Sequence, residues 1–222
     1  MSTETVSKNK DGRLFDLRRC FMEAERFAKA AYTLCTRFTG LPDGQGALDR
    51  ALFLPSVVFD GLEHRCYYSR PPGRNPPDDM DYVGPYAMNG ALAIELYLKS
   101  LLVLSLGPSA AKRIHQFDIL YESLPLGTQR RLEGHFQAAL LPKDQFDMVA
   151  VSIREIVADF HWELSYLLTQ SSSAFVQFRY AHDLHWGWFA GFREARIAIR
   201  HEILHLDPTL ASPPKPGVPP VA

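Results

Sequence analysis

Apolar residues recur at helical spacing along most of the chain, and the strict alternation of a half-buried strand is scarce. Leu14, Leu17, Phe21, Ala24, Ala28, Ala31, Leu34 and Phe38 share one face, which predicts a first helix over 14–38, ended by Gly40-Leu-Pro-Asp-Gly44. A second helix is expected over 47–68, with Pro55 starting or kinking part of it. Pro71, Pro72, Pro76 and Pro77 then make 70–81 a loop. The third helix, over 86–106, is apolar almost all round. Its only charges, Glu95 and Lys99, sit four apart and can pair along the helix, so the segment belongs in the centre of a bundle. Shorter helices are expected over 115–123 and 128–140. A long amphipathic one over 145–168 carries Ile153, Ile156, Val157, Phe160, Leu164 and Leu167 as its stripe. Ser171-Ser-Ser173 interrupts the pattern, and a last helix over 186–206 stops at Asp207-Pro208.

These elements predict an all-α helical bundle in four parts. Residues 1–13 form a flexible N-terminus, 14–81 a helical extension and 82–206 the main bundle, while 207–222 form a disordered tail rich in proline. At 222 residues and 46% hydrophobic, the chain can bury one good core. A net charge of −1 gives no global field toward nucleic acid or anionic lipid, so any RNA contact must come from a local basic patch. The three cysteines, Cys20, Cys35 and Cys66, lie far apart without a C-x-x-C pair, which suits reduced thiols in a cytosolic protein. Residues 1–12 are polar and lack an apolar signal core. The greasy stretch 91–106 is broken by Glu95 and Lys99 and is short for a bilayer. The expectation is a cytoplasmic protein with no membrane contact.

Candidate chemistry gathers in Arg196-Ile-Ala-Ile-Arg200-His201-Glu202-Ile203-Leu204-His205. His201-Glu202-x-x-His205 has the zinc-hydrolase spacing, with two imidazoles one turn apart and Glu202 beside them as base. That chemistry needs a third ligand. After His205 there is no further His or Glu, so the ligand would have to come from upstream, for example His161 or His64. The same stretch reads Arg200-His-x-x-x-His205 and Arg196-x-x-x-x-His201, which suits phosphodiester cleavage without a metal. There a His moves the proton and an Arg stabilises charge on the transition state. Projected on a helix, Arg193, Arg196 and Arg200 run between two apolar patches, and an enclosed guanidinium needs an acceptor, which acids on neighbouring helices can also supply. His182 and His185 lie near Trp186 and Trp188, an aromatic cluster that can be core or can stack a base. No G-x-x-x-x-G-K-[ST], G-x-G-x-x-G or G-x-S-x-G occurs, so phosphate-loop, Rossmann and hydrolase-elbow readings have no support and no cofactor is expected. Asp78, Asp79 and Asp81 are an acidic loop without the rest of a calcium site.

Three segments in order carry a family resemblance. Ala93-Ile-Glu95-Leu-Tyr-Leu-Lys99-Ser-Leu-Leu102 resembles the A-x-E-x-x-L-K-x-L-L helix of HEPN domains, small all-α bundles of prokaryotic toxin, defence and nucleotide-sensing systems. Ile114-His115-Gln-Phe-Asp-Ile119-Leu120, after Gly107-Pro108, is similar to that family's H-x-L-x-x-L helix, and Phe178-Arg179-Tyr180 to the Arg-Tyr before its last helix. The resemblance covers about 82–206. It implies an RNA-associated protein, acting as a metal-independent endoribonuclease or as a non-catalytic module that binds a nucleotide or a protein. Its implied site is Arg200 and His205 with Arg196 and His201. It further implies a homodimer and a neighbouring nucleotidyltransferase or antitoxin as partner. The chain departs from the family pattern in placing Arg200 and His205 near the end of their helix rather than at its start.

Overall fold

In the computed structural model, residues 7–8, 14–39, 83–110, 113–140, 154, 159–172 and 191–211 are described. Among them the fold is an all-α bundle of six helices. These are α1 (Leu17–Thr39), α2 (Val83–Leu106), α3 (Phe117–Glu122), α4 (Leu126–Ala139), α5 (Leu164–Gln170) and α6 (Phe192–Leu206). The expected helix over 47–68, the proline loop at 70–81 and the boundary before residue 82 lie outside the described residues.

The centre is α2, as its pattern predicts. Ala91, Ala93, Ile94, Tyr97, Leu98, Leu101, Leu102 and Val103 are all buried, and α1 and α6 pack against it. Met88–Leu106 is long and apolar enough to cross a membrane, but most of it is buried inside the bundle. Gly107 ends the helix in the left-handed region at φ 86°, donating its N–H to the Val103 carbonyl at 2.9 Å, a conformation that suits glycine. The first helix, expected as part of an extension, belongs to the same core, to which it contributes Phe21 and Ala24. The Phe21 ring lies 5.8 Å from that of Tyr97. Because α1 lies on α2 in this way, it can bring polar side chains to α6.

Several expected boundaries shift, four of them for a local reason. The first helix begins at Leu17 rather than 14, because the Asp16 carboxylate accepts the Arg19 N–H at 2.8 Å as an N-cap. Leu14–Phe15 instead pairs antiparallel with Ser7–Lys8, in the register Ser7↔Phe15 and Lys8↔Leu14. The expected helix over 145–168 does not run through: 160–163 is non-helical, and α5 starts only at Leu164. Side chains hold that non-helical backbone. Arg154 Nε donates to the Phe160 carbonyl at 2.8 Å, Gln137 Nε2 to that of Trp162 at 2.6 Å, and the Leu164 N–H to Glu133 Oε2 at 3.0 Å. The expected last helix over 186–206 begins at Phe192. Gly191 precedes it at φ 77°, a left-handed conformation outside the α-helix, and a Cβ there would lie 2.6 Å from Leu167 Cδ1, so the position takes glycine. Finally, the tail expected to be disordered from 207 makes a 3₁₀ turn at Pro208–Ala211 and buries Leu210 in the core. Asp207 starts that turn by accepting the Thr209 N–H at 3.0 Å.

Candidate functional site

The amphipathic α6 presents different residues to three neighbours. Toward α2, Phe192, Ala195, Ile199 and Ile203 are buried, and Arg196 is buried with them, only 7% exposed. The glycine at Gly90 makes room for it: a Cβ there would lie 3.1 Å from Arg196 Nη1 and 3.2 Å from Phe192 Cδ2. Arg196 Nη1 has no hydrogen-bond partner among the described residues. Glu194, also buried, receives Arg193 Nη1 at 3.1 Å, and burial raises its carboxyl pKa against the opposing pull of Arg193.

Toward α1, Arg200 Nε donates to Glu25 Oε1 at 2.7 Å, and the same oxygen accepts the Tyr97 hydroxyl at 2.5 Å. Burial, joined by the Glu25 carboxylate, holds the Tyr97 hydroxyl far above the ordinary tyrosine range. For Arg200, burial works against the charge, but the hydrogen bond and charge of Glu25 together with Tyr97 outweigh it, so its pKa is raised. An acceptor on a neighbouring helix, one of the outcomes the arginine ribbon allows, is therefore found for Arg200 but not for Arg196 Nη1.

Toward α4, Glu202 is fully buried and accepts Arg131 Nε at 2.8 Å and Nη2 at 2.7 Å on Oε1. His135 Nε2 lies 3.2 Å from Glu202 Oε2. The bond to Glu202 holds the Arg131 pKa above its usual value. His201 and His205 are exposed, and the His201 ring lies 4.3 Å from that of His135 at 41°.

The H-E-x-x-H stretch is thus divided between two environments, imidazoles in solvent and carboxylate in the core. With both its oxygens engaged, Glu202 is not placed as a free base beside a metal on His201 and His205. Of the upstream ligands considered, His161 stacks on Tyr166 with centroids 4.2 Å apart, and His64 lies outside the described residues. Among the described residues no three His, Cys, Asp or Glu side chains are grouped to hold a metal ion.

The second constellation is the pair expected on α2. Glu95 is buried, its Oε1 accepts Lys99 Nζ at 2.6 Å, and both its oxygens lie 3.0 Å from His115 Nδ1. Cys20 reaches the same region, donating Sγ–H to the Leu96 carbonyl at 3.5 Å, and burial pushes its thiol pKa up. Phe178, Arg179, Tyr180, His182, His185, Trp186, Trp188, Cys66, Asp78, Asp79 and Asp81 lie outside the described residues.

Sequence reasoning missed Glu25, Tyr97, Arg131 and His135. Only Arg131-x-x-x-His135 carried a signal, two basic side chains one turn apart on a predicted helix. No protein-family model, curated protein or solved structure matches this chain.

Proposed function

We propose that the chain is a HEPN-like, RNA-associated bundle acting as a metal-independent endoribonuclease in a bacterial defence or stress system. The observation that carries this reading is the surface of α6. Arg200, His201 and His205 are all exposed within six consecutive positions of α6, so a cation and two proton-transfer groups reach solvent from one short stretch of helix. With Arg200 Nε held by Glu25, 44% of the side chain still remains exposed to meet a phosphate. An imidazole takes the 2′-hydroxyl proton as the bond from O2′ to phosphorus forms. The bond to O5′ breaks, and an imidazolium returns a proton to O5′, leaving a 2′,3′-cyclic phosphate and a 5′-hydroxyl. The guanidinium stabilises the charge gathered on the phosphoryl oxygens. The family resemblance also implies a homodimer, and the exposed Ile197 and Leu206 of α6 offer it apolar surface.

Single-turnover digestion of labelled single-stranded RNA tests the reading. Cleavage should survive chelator and stop when the ribose at the cut carries no 2′-hydroxyl. His205→Ala and Arg200→Ala should each slow it by about 10²-fold or more with helical content unchanged. A parent protein inert on RNA, alone and with its neighbouring gene product, refutes catalysis. One observation favours a second reading, a non-catalytic module binding a nucleotide or a protein: the Glu25 carboxylate already holds Arg200, as in a purely structural ion pair.

A further inference from the structure

The seam between α4 and α6 brings Arg131 and His135 together with His201 and Glu202. Glu202 is buried in it, and two of the three guanidinium nitrogens of Arg131 hydrogen-bond its Oε1. Arg131 Nη1 makes no hydrogen bond among the described residues. The Arg131 side chain is 45% exposed, and Nη1 lies beside Gly127. His135 gives one edge to Glu202 and one ring face to His201. His201 is exposed and has no hydrogen-bond partner among the described residues, so its far side faces solvent. Arg131 Nη1 and the outer edge of His201 therefore keep hydrogen-bonding capacity that no described residue uses. An oxyanion can accept from both of these groups, and the outer side of His201 continues the stack for a planar base.

We propose that this seam binds single-stranded RNA, with Arg131 Nη1 and the His201 imidazole on a backbone phosphate, a base stacked on His201, and His135 as positioning residue. The proposal rests on the reading that the chain acts on RNA, and extends the exposed groups of α6 through their shared His201 to Arg131 and His135 of α4.

The test uses the full chain and fluorescence anisotropy with a labelled single-stranded RNA bearing 2′-O-methyl groups, which removes the nucleophile so that binding is read apart from cleavage. His201→Ala, an exposed position, should weaken binding by about tenfold or more. His201→Phe should recover the part due to stacking. Arg131→Lys keeps a cation near Glu202 but loses the Nη1 fork, and should lower the slope of log affinity against log salt by about one. If the parent binds RNA and all three variants bind equally well, the seam is wrong while the RNA reading stands. If the parent binds no RNA, the RNA reading is lost. Ring signals of His201 under inorganic phosphate then decide the site: shifts that saturate in the parent and vanish in Arg131→Lys keep a phosphate site here, and unmoved signals overturn it.

Discussion

Replacing Lys99 by Met tests the placement of α2 most directly. The ammonium lies 2.6 Å from Glu95 Oε1, and the Glu95 side chain is only 5% exposed, so the substitution strands a carboxylate in the middle of the bundle. Loss of one partner from a fully buried pair costs about 3–5 kcal/mol. Two features reduce that here: Lys99 keeps 13% of its side chain in solvent, and His115 Nδ1 remains 3.0 Å from the carboxylate. A loss of about 2–3 kcal/mol is therefore expected, which for a chain of this size is a melting temperature lower by about 5–10 °C. Thermal unfolding followed by circular dichroism reads it. Adding Glu95→Gln to Lys99→Met should reverse much of the damage. The uncompensated charge disappears, His115 can still bond the amide oxygen, and at least half of the lost stability should return. A Lys99→Met protein melting with the parent, or a double variant no more stable than the single one, refutes the account.

Two further outcomes are expected from buried carboxylates on α6. Folded Glu194 keeps its proton to higher pH than an unfolded glutamate, so its contribution to stability is full below the ordinary glutamate range and is lost as pH rises through the raised value; urea-unfolding midpoints should show the parent losing ground to Glu194→Gln from acid toward neutral pH, and parallel curves would exclude this. Glu202→Gln should lower the melting temperature by several degrees, since it weakens the bonds to Arg131 and His135, whereas a carboxylate kept free for metal chemistry would leave the melting temperature unchanged.

Local chemistry decides which parts of the fold are legible in the sequence. The apolar circumference of α2 predicts its central place, and the spacing of Glu95 and Lys99 their pairing, because both depend only on residues within one helix. The non-helical run before α5 escapes the pattern because Phe160, Leu164 and Leu167 fit a helical stripe, while the side chains that hold the run come from outside it, Glu133 and Gln137 from α4 and Arg154 from upstream. The start of α6 escapes it for a related reason: Gly191 looks tolerable inside a helical pattern, and only the packing of Leu167 against it shows why a side chain does not fit. Glu25 lies 175 positions from Arg200, and no periodicity connects them.

The polar residues of α6 that look like one reactive group in the sequence divide once the neighbours are in place. Arg196 and Glu202 are buried, and Arg200 is tied to α1 through Glu25, so each helps set the rotation of α6 against α2, α4 or α1. A helix held from three sides in this way has little freedom to turn, and the imidazoles of His201 and His205 are presented from a fixed frame. A rigid frame is what both binding and proton transfer require, because either fails when the groups drift by a fraction of a bond length from their targets. The buried charges and the exposed imidazoles therefore belong to one arrangement: the first orient the helix, and the second are what it has left to offer a ligand.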